Sequence, residues 1–183
     1  LKQTSDSGLK WINPATWFHN WDEGLPWRIG LTRKVPMRLA LHGGIGEANV
    51  DLSVLQVTHL TLKNGVGKMS VTLPDSGAPY EAAVDGGLGA LRLALPDNTS
   101  LGLRIKGGVG EITLEAPLHA AVQISARGGI GDVRLPGRMQ RVAGGSSDFE
   151  LSKSGTWETP GFASAPVQIR IDYEGGVGEL RVR

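Results

Sequence analysis

The sequence predicts an all-β protein, a single-domain β-solenoid of the parallel β-helix kind, on three observations. A Gly–(Ile/Val/Leu)–Gly step recurs six times, beginning at Gly44, Gly65, Gly87, Gly108, Gly129 and Gly176. The first four intervals are 21, 22, 21 and 21 residues, and a fixed period in this range marks an array whose units bury a face against the next. Apolar and polar residues alternate on both sides of each step, with no sustained helical periodicity.

Aligning the copies on the first glycine gives the columns. Five residues before it stand Leu39, Leu60, Ala82, Leu103, Ile124 and Ile171; three before it, Leu41, Leu62, Val84, Ile105, Ala126 and Tyr173. One after it stand Ile45, Val66, Leu88, Val109, Ile130 and Val177. These three columns share a parity and are expected to face inward together. The apolar columns beginning at Ala48 and Val50 have the opposite parity, so the strand must pass a kink where one residue is absorbed. The glycines, Gly44, Gly46, Gly65, Gly67, Gly87, Gly89, Gly108, Gly110, Gly129, Gly131, Gly176 and Gly178, are assigned as these structural turns. In the second copy Asn64 takes the leading glycine's place, which suits a residue tolerant of positive φ.

Polar columns lie between: His42, Lys63, Asp85, Lys106, Arg127 and Glu174 before the step, Asn49, Ser70, Arg92, Thr113, Arg134 and Arg181 after it. Such alternation predicts half-buried strands with one wet face. Leu73-Pro74, Leu95-Pro96, Ala116-Pro117 and Leu135-Pro136 end strands, since proline removes a ladder donor. Each unit then holds two short strands and two bends, and about six to seven rungs of roughly 21 residues fill residues 35–183. The last interval, 47 residues, is expected to hold a degenerate rung with Val142, Phe149 and Leu151, then a flap from Ser154 to Ala165 carrying Trp157 and Phe162.

Residues 1–34 lack the pattern. They read as a linker over Leu1–Gly8 and a Trp-rich N-terminal cap with Trp11, Trp17, Trp21 and Trp27, or alternatively a segment seated at a membrane interface. The chain opens at Leu1 with no signal peptide, and no apolar run approaches the ~20 residues that span a bilayer. This reads as a portion of something longer.

Composition narrows the functions. A net charge of +1 gives no whole-molecule field toward nucleic acid. The absence of cysteine removes thiolate chemistry and disulfides. The glycine steps lack the third glycine of a dinucleotide fingerprint, since Gly87-Leu88-Gly89 is followed by Ala90-Leu91-Arg92, and lack its helix. No nucleophile elbow is present, and His19, His42, His59 and His119 have no ligand spacing. Neither catalytic residues nor a cofactor is expected. Glu111 and Asp132, taken to lie on consecutive rungs, are candidate cation ligands against the simpler reading of solvated corner acids. Arg92, Arg134 and Arg181 are a candidate stripe for an anionic ligand against charge that blunts a sheet edge.

The Gly-Gly-(Val/Ile)-Gly-Glu-hydrophobic step, the Leu-Pro strand ends and the closing Trp157…Glu174-Gly175-Gly176-Val177-Gly178 segment resemble the toast-rack domain of bacterial membrane-attached envelope proteins. The chain is similar to the C-terminal domain of LiaF-type cell-wall-active antibiotic response proteins and to adhesin-like bacterial solenoids. The resemblance implies a non-enzymatic interaction module with protein partners at the membrane, attached through a segment outside this chain. The side of the membrane stays open. An adhesin-like or structural spacer domain is the alternative function, and a polysaccharide-active β-helix a more distant one.

Overall fold

Each glycine corner ends one strand and starts another, and the two strands go to different sheets. In the computed structural model the described residues are 29–144 and 154–183. The chain divides into two units, Leu1–Leu31 and Thr32–Arg183, and every described strand belongs to the second. The tryptophans expected to form a cap, and Phe149 and Leu151, lie outside the described residues.

The strands are β1 (Met37–His42), β2 (Ile45–Asp51), β3 (Val57–Lys63), β4 (Val66–Thr72), β5 (Tyr80–Asp85), β6 (Leu88–Ala94), β7 (Leu101–Lys106), β8 (Val109–Glu115), β9 (Ala121–Arg127), β10 (Ile130–Arg134), β11 (Gln140–Ala143), β12 (Gly155–Glu158), β13 (Gln168–Glu174) and β14 (Val177–Val182). A 3₁₀ turn, Phe162–Ser164, precedes β13. The fold is all-β and has two sheets. One sheet has eight strands in the order β1-β3-β5-β7-β13-β9-β12-β11, the other six in the order β2-β4-β6-β8-β14-β10. Every pairing is parallel except β9–β12 and β12–β11.

Inward residues of both sheets meet in one hydrophobic core. Leu62, Ile124 and Ile169 from the first sheet and Leu93, Leu114 and Leu180 from the second are fully buried. Alternation explains this: in β5 every second residue, Tyr80, Ala82 and Val84, is buried while Glu81, Ala83 and Asp85 are exposed.

Four expectations change. The pair β13–β14, last in sequence, is inserted between β7–β8 and β9–β10 in both sheets, so the bent pairs do not stack in chain order. The apolar column after the first glycine faces solvent, with Ile45 92% and Val66 47% exposed. The parity switch therefore occurs at the Gly-Gly corner itself, ahead of Ile45, and the residue that period-2 counting placed inside stands on the outer face of the second sheet. Asn64 has no positive φ; its side-chain amide instead donates to the Gly86 carbonyl at 3.1 Å, holding the next corner. Finally, Val142 is exposed in β11 and belongs to no parallel pair, while Gly155–Glu158 is an antiparallel strand on β9, not a flap.

Candidate functional site

The corners carry the repeated glycines, and their backbone is already engaged. Val66 donates its amide to Gly44 O at 2.9 Å, Leu88 to Gly65 O at 2.9 Å, Val109 to Gly87 O at 2.9 Å, Val177 to Gly108 O at 2.8 Å and Ile130 to Gly176 O at 2.8 Å. The ladder thus runs unbroken through the corner. Those amides, which a phosphate would need, point to the neighbouring pair. The second glycines, Gly46, Gly67, Gly89, Gly110, Gly131 and Gly178, have φ between 121° and 147°; of the first glycines, Gly87 and Gly129 have positive φ and Gly44, Gly65, Gly108 and Gly176 do not. Gly110 shows why glycine is required. Its φ is 134°, and a Cβ there would overlap the carbonyl oxygen of Gly89 on the adjacent strand.

Register then fixes two rows on the outer face of the second sheet. The first is Glu47, Lys68, Ala90, Glu111, Glu179 and Asp132; the second is Asn49, Ser70, Arg92, Thr113, Arg181 and Arg134. Insertion of β14 puts Glu179 between Glu111 and Asp132, so the two acids expected on consecutive strands are separated by a third. Three carboxylates on neighbouring parallel strands repel, and the arginines offset this. Arg181 reaches Glu179 at 2.8 Å and Glu111 at 3.4 Å, and Arg134 reaches Glu179 at 3.1 Å. Thr113, buried rather than wet, donates its hydroxyl to Glu111 at 2.9 Å. Arg92 is held by Glu115 and Lys68 by Glu47, the latter at 3.2 Å. The three candidate anion-binding arginines are therefore all in ion pairs. Among the described residues no three acidic or histidine side chains converge to hold a metal ion.

The opposite corners are closed by side chains. Asp75 accepts the Asn98 amide at 2.9 Å, the Asn98 side chain at 3.2 Å and the Thr99 hydroxyl at 2.9 Å. Partial burial pushes the Asp75 carboxyl up, but the donors on Asn98, Thr99 and Asp97 outweigh it and hold it below its ordinary value. Burial first, and the nearby Asp75 charge second, push the Tyr80 phenol well up. Its hydroxyl is buried without a hydrogen-bond partner.

On the outer face of the first sheet a groove of about 720 Å³ is lined by His59, Tyr80, Glu81, Gly102, Gln168 and Arg170 among others. Gly102 interrupts the outward row, and the Glu81 carboxylate lies over it, where a Cβ would collide. Arg170 donates to Gln168 Oε1 at 2.6 Å and stands 5.5 Å from the Phe162 ring centroid. Sequence reasoning missed this groove, because β13 comes from the chain's far end.

A two-sheet, largely parallel β fold with glycine corners in register defines a class. The model of the toast-rack N-terminal domain, DUF2154, matches residues 2–94, just over half of the chain. The chain belongs to that family. A crystal structure of a "putative cell adhesion protein" from Clostridium sporogenes ATCC 15579 is similar, with 17% identity, a TM-score of 0.59, and coverage of 79% of this chain and 91% of that one. At that identity the likeness concerns the fold. No curated protein matches, and neither match names a LiaF-type protein. No helix among the described residues is long and apolar enough to cross a membrane.

Proposed function

We propose that this chain is a non-enzymatic interaction domain of the adhesin-like kind, in which the two sheets are the walls of a β-solenoid and its outer faces make the contacts. The observation that carries the reading is the in-register outer rows: they cross the parallel strands as continuous lines of polar and charged side chains, and their acids and bases are paired with each other rather than poised for chemistry. The similarity to a structure described as a "putative cell adhesion protein" supports it. The reading includes a bacterial envelope setting with attachment through a segment outside this chain, which rests on the resemblance of the glycine-step repeat to toast-rack domains. A sensing or regulatory module with a protein partner at the membrane, of the LiaF type, is the second reading, motivated by the toast-rack family itself.

Beads coated with the 183-residue chain are the test. On the adhesin-like reading they attach to immobilised bacterial envelope material or host-surface glycoprotein, and substitutions at exposed members of the outer rows, such as Asn49 and Lys68, weaken attachment with little change in thermal stability. Attachment indistinguishable from uncoated beads, together with capture of a membrane sensor kinase, would overturn it in favour of the second reading. Release of soluble sugar from a polysaccharide panel would overturn both.

A further inference from the structure

An aliphatic ridge crosses the outer face of the second sheet, and a ladder of alternating charge runs beside it. In spatial order the ridge is Ile45, Val66, Leu88, Val109, Val177 and Ile130. All six are exposed by about half or more, from 47% to 92%. Each stands between two glycines in sequence, so no neighbour along the strand shields it. Contiguous bare apolar surface of this kind marks a contact site.

Three residues before each ridge position, on the outer face of the first sheet beside the same corner, stand His42, Lys63, Asp85, Lys106, Glu174 and Arg127, again in spatial order. All are exposed. From Lys63 to Arg127 the sign alternates, and it does so because β13 places Glu174 between Lys106 and Arg127. Among the described residues none of these five charges is held in an ion pair.

The pattern is complementary to its own reverse. A second copy turned end for end, about a two-fold axis parallel to the strands, brings Lys63 opposite Glu174 and Asp85 opposite Lys106, each twice. The same operation sets Leu88 against Val109 at the centre of the ridge. A two-fold axis along the stack would instead set Lys63 against Lys68 and Glu174 against Glu179. We infer that a second copy of this chain docks on the ridge, antiparallel, in an isologous dimer. Covering two such ridges with their flanking ladders removes several hundred Å² from each copy, which approaches the ~1,200 Å² total of the smaller specific interfaces. A lipid surface fits less well, since alternating signs match neither an anionic nor a neutral headgroup layer.

Sedimentation velocity of the 183-residue chain at rising micromolar concentration tests this. The expected result is a concentration-dependent dimer. Val109→Lys, on an exposed site, weakens it by at least about tenfold with an unchanged thermal melt. Asp85→Lys and Lys106→Asp each weaken it similarly when alone. Their equimolar mixture restores it, because the two substituted sites face each other and the unsubstituted Asp85 and Lys106 face each other. A chain that stays monomeric, or charge variants that dimerise like the parent, overturns the inference. So does a monomeric chain that sediments with phosphatidylcholine–phosphatidylglycerol vesicles unless Val109→Lys is present.

Discussion

Thr99 donates its hydroxyl to Asp75 Oδ1 at 2.9 Å and accepts the amide of Gly77 at 2.8 Å. A single buried hydroxyl thereby ties the turn after β6 to two points of the turn after β4. Thr99 is fully buried, so its loss takes one of the side-chain and backbone donors from Asp75 and leaves the Gly77 amide without its acceptor. Thr99→Val, nearly isosteric, should cost about 1–3 kcal/mol, read as a lower urea midpoint with an unchanged slope.

Asp75 sets a pH dependence. Its folded pKa lies below the ordinary 3.8, so the stability it contributes is complete above that value and is lost as pH falls through the folded value. Urea unfolding from pH 7 downward should therefore show Asp75→Asn less stable than the parent at neutral pH, with the gap narrowing as pH falls below 3.8 and through the lowered folded value. A gap that widened on acidification would place the donors elsewhere.

Gly110→Val should destabilise by at least about 1–3 kcal/mol from backbone strain, with steric overlap against the Gly89 carbonyl added. Asn49→Val, on an outward and exposed strand position of β2, should change stability by less than about 0.5 kcal/mol. Paired thermal melts check the contrast. Equal melting would mean that the corner glycines are not needed for backbone reasons.

Arg181→Met should expose the repulsion among Glu111, Glu179 and Asp132. The arginine is three-quarters buried and bridges two of the three acids. A loss of about 1–2 kcal/mol is expected, partly recovered in high salt because screening weakens like-charge repulsion. Denaturation at low and high sodium chloride gives both readings.

How much of this was legible beforehand follows from what a period can encode. The strands and corners were, because alternation on either side of a Gly-Gly step states which residues face inward: Leu60 and Leu62, then Met69 and Val71, are all buried. The ridge was not. A corner that absorbs one residue leaves Ile45 equally readable as inward or outward, and only the backbone course at Gly43 and Gly44 decides. Strand order was beyond reach, since β13 carries the same columns as every other first-sheet strand and nothing local says between which neighbours it goes. The charge row holds the trace of it: in chain order Lys106 would neighbour Arg127, whereas with β13 between them Glu174 separates the two cations. Thr113 was misread for a related reason, as its burial depends on the side chains that β14 brings alongside.

The inserted pair also governs the order in which the molecule can be completed as it is made. β9 and β10 leave the ribosome before β13 and β14, yet their only parallel neighbours among the described strands are β13 and β14. The earlier four pairs can close on one another as each emerges. The fifth must wait, its apolar face without a parallel partner, until the final residues of the domain are synthesised and slide between it and β7–β8. A nascent chain halted short of Gln168 should therefore carry a protected stretch over residues 37–115 and a protease-sensitive stretch from Ala121 onward, and emergence of residues 168–183 is the event that seals both.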